Sequence, residues 1–174
     1  MPPFIMDQAE AQRLVDQRPW WYHRFEIFPG VVTPGVYDAS HLLRALRFPD
    51  DMTGMSVLEI GPADGYFTKM LDMRGANVVA MNICAKDVHG FSVTEKLHGK
   101  SLRYVHSNLY DIGKHGFEPF DYVLCSGVLY HLPDMLRGSL AATFLRQGRT
   151  FVGDAGHAQD RGSAFCRISA SDKL

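Results

Sequence analysis

The sequence predicts an α/β fold, a parallel sheet of about five strands with helices on both faces, and three observations predict it. Short apolar runs alternate with helix-patterned segments along the chain, which is the sequence form of right-handed βαβ units. The stretch Ser56–Thr68, SVLEIGPADGYFT, passes from an apolar run through a glycine-bounded turn into helical spacing. No internal repeat or composition break divides the chain, so residues 1–174 read as one domain. Within it, 1–50 is an amino-terminal helix and aromatic cap, 51–153 a ligand-binding core and 154–174 an irregular tail.

Taken in order, Asp7 to Gln17 is an amphipathic helix with Ala11, Leu14 and Val15 apolar, and Pro19 ends it. Trp20, Trp21, Tyr22, Phe25 and Phe28 then run into Pro29-Gly30 and Thr33-Pro34-Gly35. That density of breakers forbids a long regular element and predicts a shaped loop, whose aromatics either support the core or line a pocket. Ser40 is placed to cap a helix over His41–Phe48, with Leu42, Leu43 and Leu46 on its apolar stripe. Val57–Ile60 is the first core strand, followed by a helix from Tyr66 to Met73 that Gly75 stops. Ala76–Met81 is the second strand, Phe91–Leu97 a helix before Gly99, Leu102–Val105 the third strand and Phe120–Cys125 the fourth. A turn and helix fill Val128–Arg146, with Pro133 near the start and Gly148 after the end, and Arg149–Val152 is the fifth strand. Beyond it only Ala164–Ile168 has strand-like content.

Composition narrows the function. Hydrophobic residues make up 46% and charged residues 21%, the balance of a globular chain without a membrane span. A net charge of −1 without a Lys/Arg cluster argues against a strong nucleic-acid footprint. Cys84, Cys125 and Cys166 have neither metal-ligand spacing nor an even count, so no metal site is expected and a reducing, cytoplasmic setting is. The amino terminus lacks a signal-peptide layout.

The chemistry gathers at the strand ends. Glycine at 61 and 65 permits positive φ and lets a ligand approach the backbone, and open α/β sheets bind ligands at the carboxyl ends of their strands. A dinucleotide site would need G-x-G-x-x-G, but Ala63 stands where the second glycine belongs, which argues against a nicotinamide oxidoreductase. Glu59, two residues before Gly61, suits a ligand carrying an ammonium group. In such a sheet the first, second and fourth strands end in one crevice, which brings Gly61–Gly65, Asn82 and Cys125–His131 together. An acid after the second strand would accept both hydroxyls of a ribose, whereas Asn82 is uncharged. Asn108 and Asp111 follow the third strand, each placed either to bond an adenine amino group or to cap a turn.

Glu59, Gly61 and Gly65 resemble the first motif of class I S-adenosylmethionine-dependent methyltransferases, and FDYVLCSGVLYHLPD over Phe120–Asp134 resembles their fourth motif. Together with the WYH, PG, TPG and YD of Trp21–Asp38, the pattern is similar to the tRNA (mo5U34)-methyltransferase-like family, relatives of tRNA uridine carboxymethyltransferases, over roughly Trp20–Val152. The resemblance implies a Rossmann-like fold with S-adenosyl-L-methionine as cofactor. Glu59, Gly61, Ala63 and Gly65 would hold its methionine part, Asn82 the ribose, Asn108 and Leu109 the adenine, and Ser126, Gly127 and on to Leu129 the wall facing the sulfonium. Tyr130 matches a tyrosine that contacts the extra carboxylate of a carboxylated cofactor in the carboxymethyl branch. That branch also uses a lysine near the amino-terminal tryptophan, where this chain has Tyr22-His23-Arg24, so plain methyl transfer is the expectation. Such folds usually end in a helix and an antiparallel hairpin, and the tail here is too short and polar for both. The sheet therefore reads as cut short and lacking the final hairpin, which predicts either a homodimer that completes it or a poorly stable chain.

An oxygen or nitrogen nucleophile of a small molecule or RNA nucleoside needs a proton removed before methylation, and imidazole exchanges protons near neutral pH. His131 is the first candidate base, with His23 and Tyr130 behind it. Two other readings fit the same residues. One is a degenerate, non-catalytic S-adenosylmethionine-binding or interaction protein, which Asn82 and the short ending favour. The other is a tRNA wobble-uridine (carboxy)methyltransferase.

Overall fold

A computed structural model describes residues 6–144, 146–153 and 166–168. Its elements are α1 (Gln8–Asp16), β1 (Glu26–Phe28), β2 (Val31–Val32), α2 (Ser40–Ala45), β3 (Ser56–Ile60), α3 (Tyr66–Met73), β4 (Asn77–Asn82), α4 (Phe91–His98), β5 (Arg103–His106), a 3-10 helix Leu109–His115, β6 (Phe120–Ser126), a 3-10 turn Leu129–His131, α5 (Met135–Phe144), β7 (Arg146–Gly153) and β8 (Cys166–Ile168). The main sheet has the order β5-β4-β3-β6-β7-β8. Its first five strands are parallel, and β8 pairs antiparallel with β7 through Thr150–Ile168, Phe151–Arg167 and Val152–Cys166.

The central strands β3, β4 and β6 are largely buried because their side chains alternate between two apolar clusters. Val57, Val78 and Leu124 face Val15, Leu42, Phe67 and Leu71 on the side of α1–α3. Their neighbours Leu58, Ile60, Val79, Met81, Val123 and Cys125 face Leu109, Ile112 and Ala142 on the side of α5. Glu59 shares parity with Val57 and so points toward α3. The chain runs outward from β3 to β4 and β5, then returns to lay β6 against the other edge of β3. The crevice at the β3/β6 switch point is where ligands bind in open sheets of this kind.

Several local expectations shift. Ser40 does not cap α2: it is the first helical residue, and Asp38 Oδ1 accepts its N–H at 2.8 Å. The breaker-rich aromatic segment is not wholly loop, for Glu26–Phe28 and Val31–Val32 pair antiparallel across the Pro29-Gly30 turn. Gly148 lies inside β7 rather than after a helix, so α5 ends earlier and the fifth strand starts earlier than the breaker pattern implied. In the tail, whose sequence reads as irregular outside the strand-like Ala164–Ile168 stretch, Cys166–Ile168 within that stretch joins the sheet as a sixth strand. Residues 154–165 and 169–174 of that tail lie outside the described residues.

Candidate functional site

The turn after β3 is held open by its backbone. Gly61, Ala63 and Gly65 have φ of 75°, 50° and 85°, and Gly61 N–H donates to the Met81 carbonyl at 2.9 Å. A Cβ at Gly61 would overlap Val128 Cγ2, so the close passage of the two strand ends requires glycine. Ala63 takes the same left-handed region with a Cβ, a strain of about 1 kcal/mol. Such strain is common where backbone is shaped around a ligand.

Over this turn lies a cavity of about 580 Å³, within the range of ligand sites. Of the residues the first motif and the strand ends suggested, Glu59, Gly61, Ala63, Asn82, Asn108, Leu109, Ser126 and Gly127 all line it. Gly65 is not among the lining residues: it precedes α3, and a Cβ there would press on the Phe91 ring at 3.0 Å. Asn82 Oδ1 accepts the Cys84 N–H at 3.4 Å. Asn108 Oδ1 accepts the Tyr110 N–H at 2.9 Å, which makes it the cap of the 3-10 helix. Asp111, weighed for the same adenine contact, does not line the cavity and pairs with Lys114 at 2.7 Å.

Glu59 is 2% exposed, and its carboxylate accepts the Thr68 hydroxyl of α3. Burial pushes its pKa up to about 7. The Thr68 bond opposes that rise and the nearby Asp64 carboxylate adds to it. Among the described residues no cation pairs with this buried carboxyl on the cavity wall, which suits it to a positively charged ligand group.

The opposite wall is aromatic. Trp20, Tyr22, His23 and Tyr37 come from the amino-terminal segment, His89 from the loop after β4, and Tyr130 and His131 from the turn after β6. Asp64 fastens the amino-terminal part: it is fully buried, its Oδ2 accepts the N–H groups of Tyr22 at 2.9 Å and His23 at 2.8 Å, and its Oδ1 meets His23 Nδ1. Its carbonyl in turn accepts the Thr94 hydroxyl of α4 at 2.6 Å. A bridge from His23 to Tyr37 closes the segment, with Arg24 N–H on the Tyr37 carbonyl at 2.8 Å and Tyr37 N–H on the Tyr22 carbonyl at 3.1 Å. Gly35 sits so tightly on His23 that a Cβ there would overlap its carbonyl.

The three proposed proton-handling residues therefore differ. His131 and Tyr130 are exposed side by side, ring centroids 4.1 Å apart, at the rim. His23 is buried at 5% exposure with Nδ1 engaged by a carboxylate, so proton exchange with a ligand would run through Nε2. Sequence reasoning missed Asp64 and His89. The only signal for Asp64 was an acid inside the glycine turn, which also suits plain turn chemistry. Its partners are 41 and 42 residues away.

Residues 35–159 match the model of the family described as methyltransferase domain. The chain is 33% identical over 104 residues to the magnesium-protoporphyrin O-methyltransferase of Rhodobacter capsulatus, covering 58% of this chain and 45% of that protein. It is 24% identical over 141 residues to the ubiquinone biosynthesis O-methyltransferase of Aliivibrio fischeri strain MJ11, covering 75% and 55%. The chain thus spans about half the length of the curated relatives it matches. Among solved structures it resembles the amino-terminal domain of EvdMO1 with SAH bound, with a TM-score of 0.68 at 22% identity over 88% of this chain and 67% of that one. It also resembles magnesium protoporphyrin IX methyltransferase from Synechocystis PCC 6803 with bound SAM, with a TM-score of 0.52 at 19% identity over 66% and 54%. At these identities the likeness is one of fold.

Proposed function

The chain belongs to the methyltransferase domain family, and on that premise we propose that it binds S-adenosylmethionine at the strand-end wall and transfers a methyl group to an oxygen or nitrogen nucleophile of a small molecule held at the aromatic wall. The observation that carries this reading is the convergence on one cavity of Glu59, Gly61, Asn82, Asn108–Leu109 and Ser126–Gly127 from four separate strand ends. The residues present fit the cofactor. The left-handed turn at Gly61 brings bare backbone to the cavity wall, and Glu59 offers a buried carboxyl to an ammonium group. Asn82 would hold the ribose, Asn108 and Leu109 the adenine, and Ser126 and Gly127 the side toward the acceptor. When bound, S-adenosylmethionine supplies an electrophilic methyl group on a sulfonium centre.

The protein's part is to position, to exclude water and to remove a proton. The O-methyltransferase names of the curated relatives support an oxygen acceptor. His23 is the better base than His131, because Asp64 fixes its ring and burial keeps water from it. Tyr130 and His131 then line the rim by which the acceptor enters. The uncharged Asn82 favours one second reading, a chain that holds the cofactor weakly and turns nothing over. The tRNA wobble-uridine reading is narrower and is supported by the WYH and TPG segments, which here build the cap over the cavity.

Calorimetric titration with S-adenosylmethionine and S-adenosylhomocysteine tests the reading. Saturable binding is expected, with a loss of roughly 100-fold or more in Gly61→Arg and a loss of up to tenfold in Asn82→Ala, the scale of one or two lost polar contacts. A folded protein that takes up neither ligand would overturn the proposal.

A further inference from the structure

The aromatic wall is more than a cover. The rings of Trp20 and Tyr22 lie 5.9 Å apart at 32°, and those of Tyr22 and Tyr37 lie 5.4 Å apart at 33°, so the three form a shallowly tilted ladder along the cavity. His89 meets the outer end of the ladder on Trp20 at 5.6 Å, and Tyr130 reaches the same cavity from the turn after β6. Tyr37 and Tyr130 are near enough that a charge on one disfavours ionisation of the other. Beside the ladder and lining the same cavity stands His23, its ring 4.8 Å from that of Tyr22 and its Nδ1 on the fully buried Asp64. Flat faces select flat ligands, because aromatic rings in offset or tilted arrangements attract one another beyond the burial of their area.

On the reading that the strand-end wall holds the cofactor, we propose that the aromatic half of the cavity is a binding site for a planar ring bearing a free hydroxyl group, a phenol or catechol, with His23 receiving the hydroxyl proton and Asp64 as its positioning residue. The ring lies along the ladder of Trp20, Tyr22 and Tyr37. Its O–H bond breaks, an N–H bond forms at His23 Nε2, the electron pair stays on the ring oxygen, and the imidazolium is paired with the Asp64 carboxylate. The acidity of the donor decides for a phenol over an aliphatic alcohol. A phenol releases its proton near pH 10, far closer to the imidazole range than a hydroxyl of water-like acidity near 15.7.

The test is a titration of the 174-residue chain, with and without S-adenosylhomocysteine, using catechol, cyclohexane-1,2-diol and methyl β-D-glucoside as probes. Tryptophan fluorescence reads binding, and ultraviolet difference absorption reads the phenolate. The catechol is expected to bind at least about tenfold more tightly than either non-planar probe, with a phenolate band that His23→Gln removes. Tyr37→Ala should weaken the catechol about tenfold while the affinity for S-adenosylhomocysteine stays within about twofold. Equal or tighter binding of the diol or the glycoside would overturn the inference, as would catechol binding that Tyr37→Ala leaves unchanged. Failure of the cofactor reading shows separately, as absent S-adenosylhomocysteine binding in a protein whose catechol titration still discriminates.

Discussion

The two walls of the cavity are built by opposite means. The strand-end wall consists of backbone and short side chains that follow β3, β4, β5 and β6, and its shape is set once those strands are in parallel register. The aromatic wall is built mainly by large side chains of the amino-terminal segment, which pairs into a two-stranded ribbon of its own and is held in place by Asp64, Thr33 and the tight seat of Gly35. One wall is topology; the other is a set of long-range bonds. A single side-chain change should therefore dismantle the second wall without disturbing the first, whereas the first should yield only to changes that alter the backbone.

The sharpest test of that contrast is Asp64→Ala. It leaves the buried N–H of His23, its ring and the Tyr22 N–H without their acceptor, and a cost of about 3–5 kcal/mol is expected in the denaturant midpoint. Asp64→Asn should recover part of that loss. A change below about 1 kcal/mol for Asp64→Ala would mean that the amino-terminal segment is held some other way.

Next in size is the pH response of the strand-end wall. With its carboxyl raised to about 7, the folded chain keeps a proton on Glu59 that the unfolded chain releases near pH 4.5. The folded state binds more protons in that window, so the stability of the unliganded protein falls as pH rises from about 4.5 to 7, by about 3 kcal/mol in all. Glu59→Gln should abolish that fall in thermal-melt series. A ligand ammonium pairs only with the ionised carboxylate, so S-adenosylhomocysteine affinity should rise toward pH 7.5 in the parent and stay flat in Glu59→Gln. Buffers of different ionisation enthalpy would count the proton released on binding.

Smaller again is Gly90→Ala, whose Cβ would overlap the buried Trp21 ring. Overpacking of this kind costs about 1–3 kcal/mol and should register in the same melts. The least effect on stability is expected from Trp20→Ala, because Trp20 is 51% exposed. A change within about 0.5 kcal/mol, with ring-ligand affinity reduced, would place Trp20 in recognition rather than in the fold. A large loss of stability would instead make the ladder a structural brace and blur the contrast between the walls.

The alternation of strands and helices and the glycine turn were legible in the chain because each is encoded locally, by apolar periodicity and by glycines at Gly61 and Gly65. The approximate strand ends followed, and with them Glu59, Asn82, Asn108 and Ser126 at the cavity. Less legible were the start of β7, where Gly148 read as a stop and is strand, and the start of α2, where Ala39 is the N-cap and Asp38 Oδ1 accepts the Ser40 N–H. In both cases a pairing or a bond outside the residue's own spacing decided the outcome. Short aromatic strands such as Glu26–Phe28 were hidden because prolines and glycines around them dominate the local pattern.

The sequence by itself determined the layered α/β architecture and the backbone cradle, since hydrophobic period and glycine conformational freedom act over a few residues. Only the tertiary structure decided that Asp64 is a buried clamp rather than a turn residue, that His23 rather than His131 is enclosed and oriented, and that the amino-terminal aromatics form one wall of the cavity. The physical reason is that a carboxylate can be buried only when donors from elsewhere in the chain satisfy it, and those donors lie some forty residues away.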